Sequence, residues 1–179
     1  AALGWFVTNV GLVGSLRAAS ESERGVPVEP REQSEAALRL VSQDVPSEVA
    51  FDAVFAIDRL GRVVAHLGFE WARGMDDFEL GGYAVVADAL HGHSRDDTLV
   101  MDRVYRVVAR PVEDPAGEAP VGAVMGARTI DDAFARELSQ GIGSALVFFD
   151  AHSRLASSAP EGFDPADLDV IVGDLYSLP

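Results

Sequence analysis

At Pro46 the apolar residues change period, and that change decides the fold class. Before it, Phe6, Val10, Val13 and Leu16, and then Leu38, Val41 and Val45, recur at the spacing of a helix face. After it, Ala53, Phe55 and Ile57 alternate with their neighbours, as a strand with two unlike faces requires. The sequence Asp58-Arg59-Leu60-Gly61 follows at once and reads as a turn. Asp at the first position accepts backbone N–H groups, and Gly at the fourth tolerates positive φ. Residues 62–67 then return as the partner strand. A chain that runs helices first and short-looped strands afterwards is α+β, with antiparallel pairing and no βαβ crossover.

The remaining elements fit that class. Residues 5–22 are expected to form one helix, closed by Glu21, Glu23, Arg24, Gly25 and Pro27. A second helix opens around Pro30 and stops at Pro46. The hairpin 52–67 is followed by a loop-rich stretch, 68–81, and a short helix over 83–90 ended by Gly92. Three strands are expected at 97–102, 104–112 and 121–129, with the polar loop EDPAGEAP between the last two. Asp131 and Asp132 open a helix that runs to Gln140. A second hairpin, 144–149 with 154–158, precedes a last helix that starts at Asp164-Pro165 and carries Leu168, Ile171 and Leu175. The segments VFAIDRLGRVVA and VFFDAHSRLAS echo one another at an offset of about ninety residues. An internal repeat and two hairpins sharing one turn chemistry both account for that echo.

Charge narrows the function classes. The 179 residues carry 14 Lys+Arg, every one an Arg, against 29 Asp+Glu, for a net charge of −15. Such a chain has no cationic face from which to release counterions, so nucleic acid and anionic membrane surfaces are poor partners. With 48% hydrophobic residues it can bury a full core. The absence of cysteine removes thiolate nucleophiles, Zn–Cys sites and disulfides. The apolar stretch Trp5–Leu16 is too short to span a bilayer. It reads as the last turns of a membrane helix or as an amphipathic helix packed on the domain or on a second copy.

No catalytic residue, metal or cofactor is expected. The chain lacks a G-x-S-x-G elbow and a phosphate-binding loop, and Gly122 and Gly126 fall within a strand pattern. His91 and His93 stand near Asp88, Asp96 and Asp97, a mixture some metals accept, but a helix end explains them equally. A binding role has more support. Phe69, Trp71, Arg73, Phe78 and Tyr83 form an aromatic segment facing the strand that holds Tyr105, Arg106 and Arg110. Aromatic walls with a few polar groups suit a small-molecule pocket, and Arg can clamp a carboxylate through two hydrogen bonds. The ligand-binding residues expected are Trp71, Tyr83, Asp88, Tyr105, Arg106 and Arg110. The plainer reading makes the aromatics a cap on the sheet and the two arginines solvent-side strand residues.

The Asp58…Gly61 turn, the Tyr105…Pro111-Val112 strand, the Gly117…Val121-Gly122 hairpin and the Asp131-Asp132…Leu138 helix occur here in an order that resembles the Cache sensor domains, which are PAS-like. The resemblance covers roughly residues 46–140. It implies a five-stranded antiparallel sheet with a long N-terminal helix, flanking helices and a C-terminal hairpin–helix extension. It divides the chain into a helical segment, 1–45, a sensor core, 46–130, and an extension, 131–179, that closes this module or opens a second one. It also implies a periplasmic ligand-sensing domain of a bacterial histidine kinase, chemoreceptor or cyclase, binding a small carboxylate or amino acid. Flanking transmembrane helices and a homodimer through the N-terminal helix go with that reading. The sequence lacks a full amino-acid recognition motif, so the ligand is not carried over. A cytosolic PAS- or GAF-like dimerisation module without catalytic activity is the alternative.

Overall fold

A computed structural model describes residues 2–69, 74–75, 77–100, 103–117, 119–149 and 154–159. The chain divides into two compact units, Ala1–Leu99 with Arg106–Arg128, and Val100–Tyr105 with Thr129–Pro179. In the first unit, α1 (Gly4–Val7), α2 (Val10–Ser20) and α3 (Val28–Asp44) precede β1 (Ala53–Asp58), β2 (Val63–Gly68), α4 (Ala84–Leu90) and β3 (Arg95–Val100). The later elements are β4 (Val104–Val112), β5 (Gly122–Thr129), α5 (Asp132–Ile142), β6 (Val147–Phe149) and β7 (Arg154–Ser157). Strands one to five form a single sheet in the order β2-β1-β5-β4-β3. β1 is therefore flanked by β2, its hairpin partner, and by β5, antiparallel to both.

The single helix expected over 5–22 is corrected to two. Asn9 leaves the helical region at ψ 116°, and its side chain accepts the Leu12 N–H at 3.0 Å, which ends α1 and restarts the chain as α2. The apolar spacing runs through this break because the two helices share a buried side. Among the described residues the longest helix is instead α3, with Pro30 in its first turn and Val45-Pro46 at its end. The last helix expected, from Asp164, lies outside the described residues.

α2 and α3 lie together on one face of the sheet. Leu12, Leu16, Ala19, Leu38 and Val41 pack with Val54 and Ala56 of β1, Val64 of β2, Val112 of β4 and Val124 of β5. Ser15 and Ser34, both buried, share a 2.7 Å hydrogen bond between α2 and α3, and Ser15 Oγ also lies 3.1 Å from the Leu12 carbonyl, so that polar atoms in the core are paired. Replacing the fully buried Leu38 by Ala is expected to cost about 2–5 kcal/mol, measured by urea denaturation.

The helices approach β5 closely because it carries glycine where it meets them. A Cβ at Gly122 would stand 2.2 Å from the Ile57 carbonyl oxygen and 3.1 Å from Leu16 Cδ1. At Gly126 it would stand 2.6 Å from the Phe51 ring. The glycines set aside as a phosphate cradle are thus packing positions.

In the second unit, Asp131 caps α5 by accepting the Phe134 N–H at 2.8 Å, and Gly143 closes it at φ 68°. β6 and β7 pair antiparallel, Asp132 accepts the Ser157 N–H at 2.7 Å, and the Phe134 and Phe148 rings meet at 5.8 Å.

Candidate functional site

The β1–β2 turn follows from its sequence. Gly61, at φ 85°, donates its N–H to the Asp58 carbonyl at 3.0 Å. Asp58 Oδ1 accepts the Leu60 and Arg62 N–H groups at 3.0 and 2.9 Å. One irregularity follows: the register shifts between Ala56 and Ile57, so that Phe55 stands opposite His66. Across β1's other edge Phe55 stands opposite Met125 of β5. One row of the sheet therefore reads His66, Phe55, Met125. Its face is the one away from α2 and α3, since Val54, Ala56 and Val124 point to the helices.

This second face is buried too. Phe55, Ile57, Ala123, Met125, Val107 and Ala109 are all inaccessible and stand outside the helix-side core. The Phe55 and His66 rings stack at 5.7 Å with 15° between planes, and Phe69 approaches Phe55 at 6.5 Å. Leu80 and, on α4, Val85, Val86 and Ala89 are further buried apolar residues outside that core.

The chain returns from β2 along that strand's open edge. Val63 donates to the Phe78 carbonyl at 2.9 Å and accepts the Asp77 N–H at 3.1 Å, and Leu80 donates to the Gly61 carbonyl at 2.8 Å. This strip covers an edge that would otherwise be free to pair with another strand. It leads into Tyr83, the N-cap residue of α4. Phe69 (φ 46°) and Asp77 (φ 62°) are the non-glycine residues with positive φ among those described. Side chains rarely adopt that region without a compensating contact.

The structure separates the residues expected to bind. Tyr83 is half-buried at the start of α4, and Tyr105 is buried on β4. Arg106 and Arg110 alternate with Tyr105 and share the side of Val108 and Val112, which face the helical core. Tyr105 and the two arginines therefore do not share a face of their strand. Arg106 Nε donates to Asp96 at 3.1 Å, a bond that raises the guanidinium pKa above its usual value. Asp88 accepts a 2.8 Å hydrogen bond from Arg95, which also pairs with Asp97 at 3.0 Å. Those bonds, with Asp88 contributing most, raise the Arg95 pKa. Asp88 thus pairs with Arg95, and Arg106 pairs separately with Asp96, both at the exposed β3 edge, and Trp71 lies outside the described residues. Among the described residues no group of three or more His and carboxylate side chains is placed to hold a metal ion. The His91 ring Nδ1 lies 2.7 Å from the Ala87 carbonyl.

A recess of about 720 Å³ lies at the turn end of the same unit. Arg17, Glu21, Arg59, Leu60 and Pro120 line it, and the 2.6 Å Arg17–Asp114 ion pair crosses it.

No protein-family model and no curated protein matches the chain. Solved structures do. The sensor domain of the histidine kinase DctB from V. cholerae is similar at 17% identity with a TM-score of 0.58. The match covers 91% of this chain and 62% of that one, so the chain spans less than two thirds of the DctB domain. The chain has a Cache-like fold. The periplasmic domain of LuxQ from Vibrio cholerae is likewise similar to this Cache-like chain, at 17% identity over 96% of it and 81% of LuxQ, with a TM-score of 0.54. A third similar structure is the ligand-binding domain of the Campylobacter jejuni chemoreceptor Tlp3, solved in complex with 4-methylisoleucine. Its identity is 11% over 88% of this chain and 65% of that one, with a TM-score of 0.50. For the Cache-like domain these similarities confirm the sheet and its α+β class.

Phe55 and His66, which carry the aromatic row, are absent from the binding residues expected from the sequence. The hairpin brings their two strands together, but the pairing itself depends on the register shift between Ala56 and Ile57.

Proposed function

We propose that this Cache-like domain is the ligand-sensing part of a membrane-bound bacterial receptor, a histidine kinase, chemoreceptor or cyclase, and that it stands in the periplasm. In this reading it binds a small amino acid or carboxylate with an apolar body and catalyses no reaction. The observation that carries the reading is the row His66, Phe55, Met125 with Phe69 beside it, on the sheet face away from the helices. An apolar wall that ends in an imidazole supplies contact area and a hydrogen-bonding group together. The Tlp3 domain, bound to 4-methylisoleucine, shows a ligand of that kind on a similar fold. Tyr83 and Trp71 belong to the proposed site as its further aromatics.

The rest of the receptor enters the same reading. Membrane helices flank the domain in the full-length protein, and no helix among the described residues is long and apolar enough to cross a membrane. Two copies pair through the N-terminal helices, a role supported by Trp5 and Val10, which are 47% and 84% exposed. Residues 131–179 begin a second module, a reading supported by the antiparallel β6–β7 hairpin with its own register shift.

A thermal-shift panel of amino acids and small carboxylates tests the binding role. A compound present at a hundredfold excess over its Kd adds about 2.7 kcal/mol to stability. His66→Ala is expected to lose most of that increment while keeping its fold. Arg110→Ala, whose side chain alternates to the other face, is expected to keep it. Equal stabilisation of His66→Ala and the parent would remove the aromatic row from the site.

A further inference from the structure

The connection between α2 and α3 is held by charged side chains that come from the sheet and from the strip along its edge. Arg62, at the start of β2, donates to the Ala19 and Ser22 carbonyls at 2.9 Å each. These oxygens lie at and just past the C-terminal end of α2, where a cation is favoured. Asp58 orients that guanidinium from the opposite side, through Nε at 2.8 Å and Nη2 at 2.7 Å. A second tie lies a few residues on. Asp77 accepts the Val26 N–H at 2.7 Å and pairs with Arg31 of α3 at 3.1 Å. Its own backbone N–H is fixed to Val63 of β2. Gly25, at φ 124°, brings the connection close to this carboxylate.

The two ties differ in kind. The Asp58–Arg62 pair is buried and comes from a hairpin turn that two strands hold rigid. Asp77 stands at the start of the edge strip, held at positive φ, and the strip leads on to α4. A shift of the strip displaces the Asp77 carboxylate, and with it the Val26 amide and the first turn of α3. Arg62 meanwhile keeps the end of α2 in place. The α2–α3 connection therefore has one fixed anchor and one movable anchor.

We infer that Asp77 is the positioning residue that couples the strip 77–80 to the helical hairpin, so that a change at the sheet face is passed to α2 and α3. The inference rests on the sensing role proposed above, because that role gives the strip a reason to move. The coupling itself is a property of the protein without ligand. The carboxylate acts as a two-armed clamp, one oxygen on a backbone amide and the other on a guanidinium, and charge-assisted bonds of this kind hold position as well as energy.

Amide hydrogen exchange in the parent, Leu80→Ala, Asp77→Ala and the double variant tests this. Leu80→Ala loosens the strip, because Leu80 is buried there, and is expected to raise exchange both at Leu80 and Val63 and at Val26 and Arg31. The increase at Val26 is expected to be about tenfold. In the Asp77→Ala background Val26 already exchanges fast, and adding Leu80→Ala is expected to change it by less than about twofold, the non-additivity of a shared path. Asp77→Asn, which keeps an acceptor, is expected to retain most of the Val26 protection. Equal effects of Leu80→Ala at Val26 with and without the Asp77 carboxylate would overturn the coupling. If Leu80→Ala loses the β1 and β5 protection that marks the folded sheet, Leu80→Val gives the same comparison with a smaller step. An amino-acid and carboxylate panel without a thermal shift would remove the sensing role and leave the exchange result to decide the coupling by itself.

Discussion

Replacing Asp58 by Ala is expected to lower stability by about 3–5 kcal/mol in urea denaturation. Asp58 is fully buried, and its partner Arg62 is only 13% exposed. Removing the carboxylate leaves a guanidinium with half of its hydrogen bonds in a site closed to water. It also orphans the Leu60 and Arg62 amides that shape the turn. Asp58→Asn keeps an acceptor for those amides and is expected to lose less than Ala. Arg62→Lys is expected to fall between the parent and Arg62→Ala, since one ammonium cannot span two carbonyls and a carboxylate as a planar fork does. A loss below about 1 kcal/mol for Asp58→Ala would mean that the pair behaves as a surface ion pair.

Gly122→Ala is expected to abolish folding, a cost above about 4 kcal/mol, visible as loss of dispersed amide resonances. The added methyl meets the Ile57 carbonyl oxygen at 2.2 Å, inside the β1–β5 ladder, and that backbone atom cannot give way as the end of a side chain can. Gly126→Ala offers the contrast. Its obstacle is the ring of Phe51, a partly buried side chain ahead of β1. The expected cost there is about 1–3 kcal/mol, and Phe51→Ala in the same chain is expected to recover part of it.

Much of the sheet was legible in the sequence because its signals are local. The period change at Pro46, the Asp58–Gly61 turn and the Asp131 cap each act within a few residues, and each stands where expected. The N-terminal helix was misjudged because its apolar spacing passes through Asn9, whose capping outweighs the pattern. The site was less legible for two reasons. Counting back from Asp58 opposite Arg62 places Ala65 against Phe55, and only the one-residue register shift brings His66 there. Grouping Tyr105 with Arg106 and Arg110 treated one strand as one surface, whereas alternation divides it. The Asp77–Val26 bond joins residues fifty-one positions apart, and no periodicity announces it.

The measurement closest to the central claim is chemical-shift mapping on the 19.0 kDa chain with the best compound from the thermal-shift panel. Saturation is expected to move the resonances of Phe55, His66, Phe69 and Tyr83, on or beside the sheet face away from the helices. Changes gathered instead at Arg17, Glu21, Arg59, Leu60 and Pro120, around the recess at the turn end, would contradict the account.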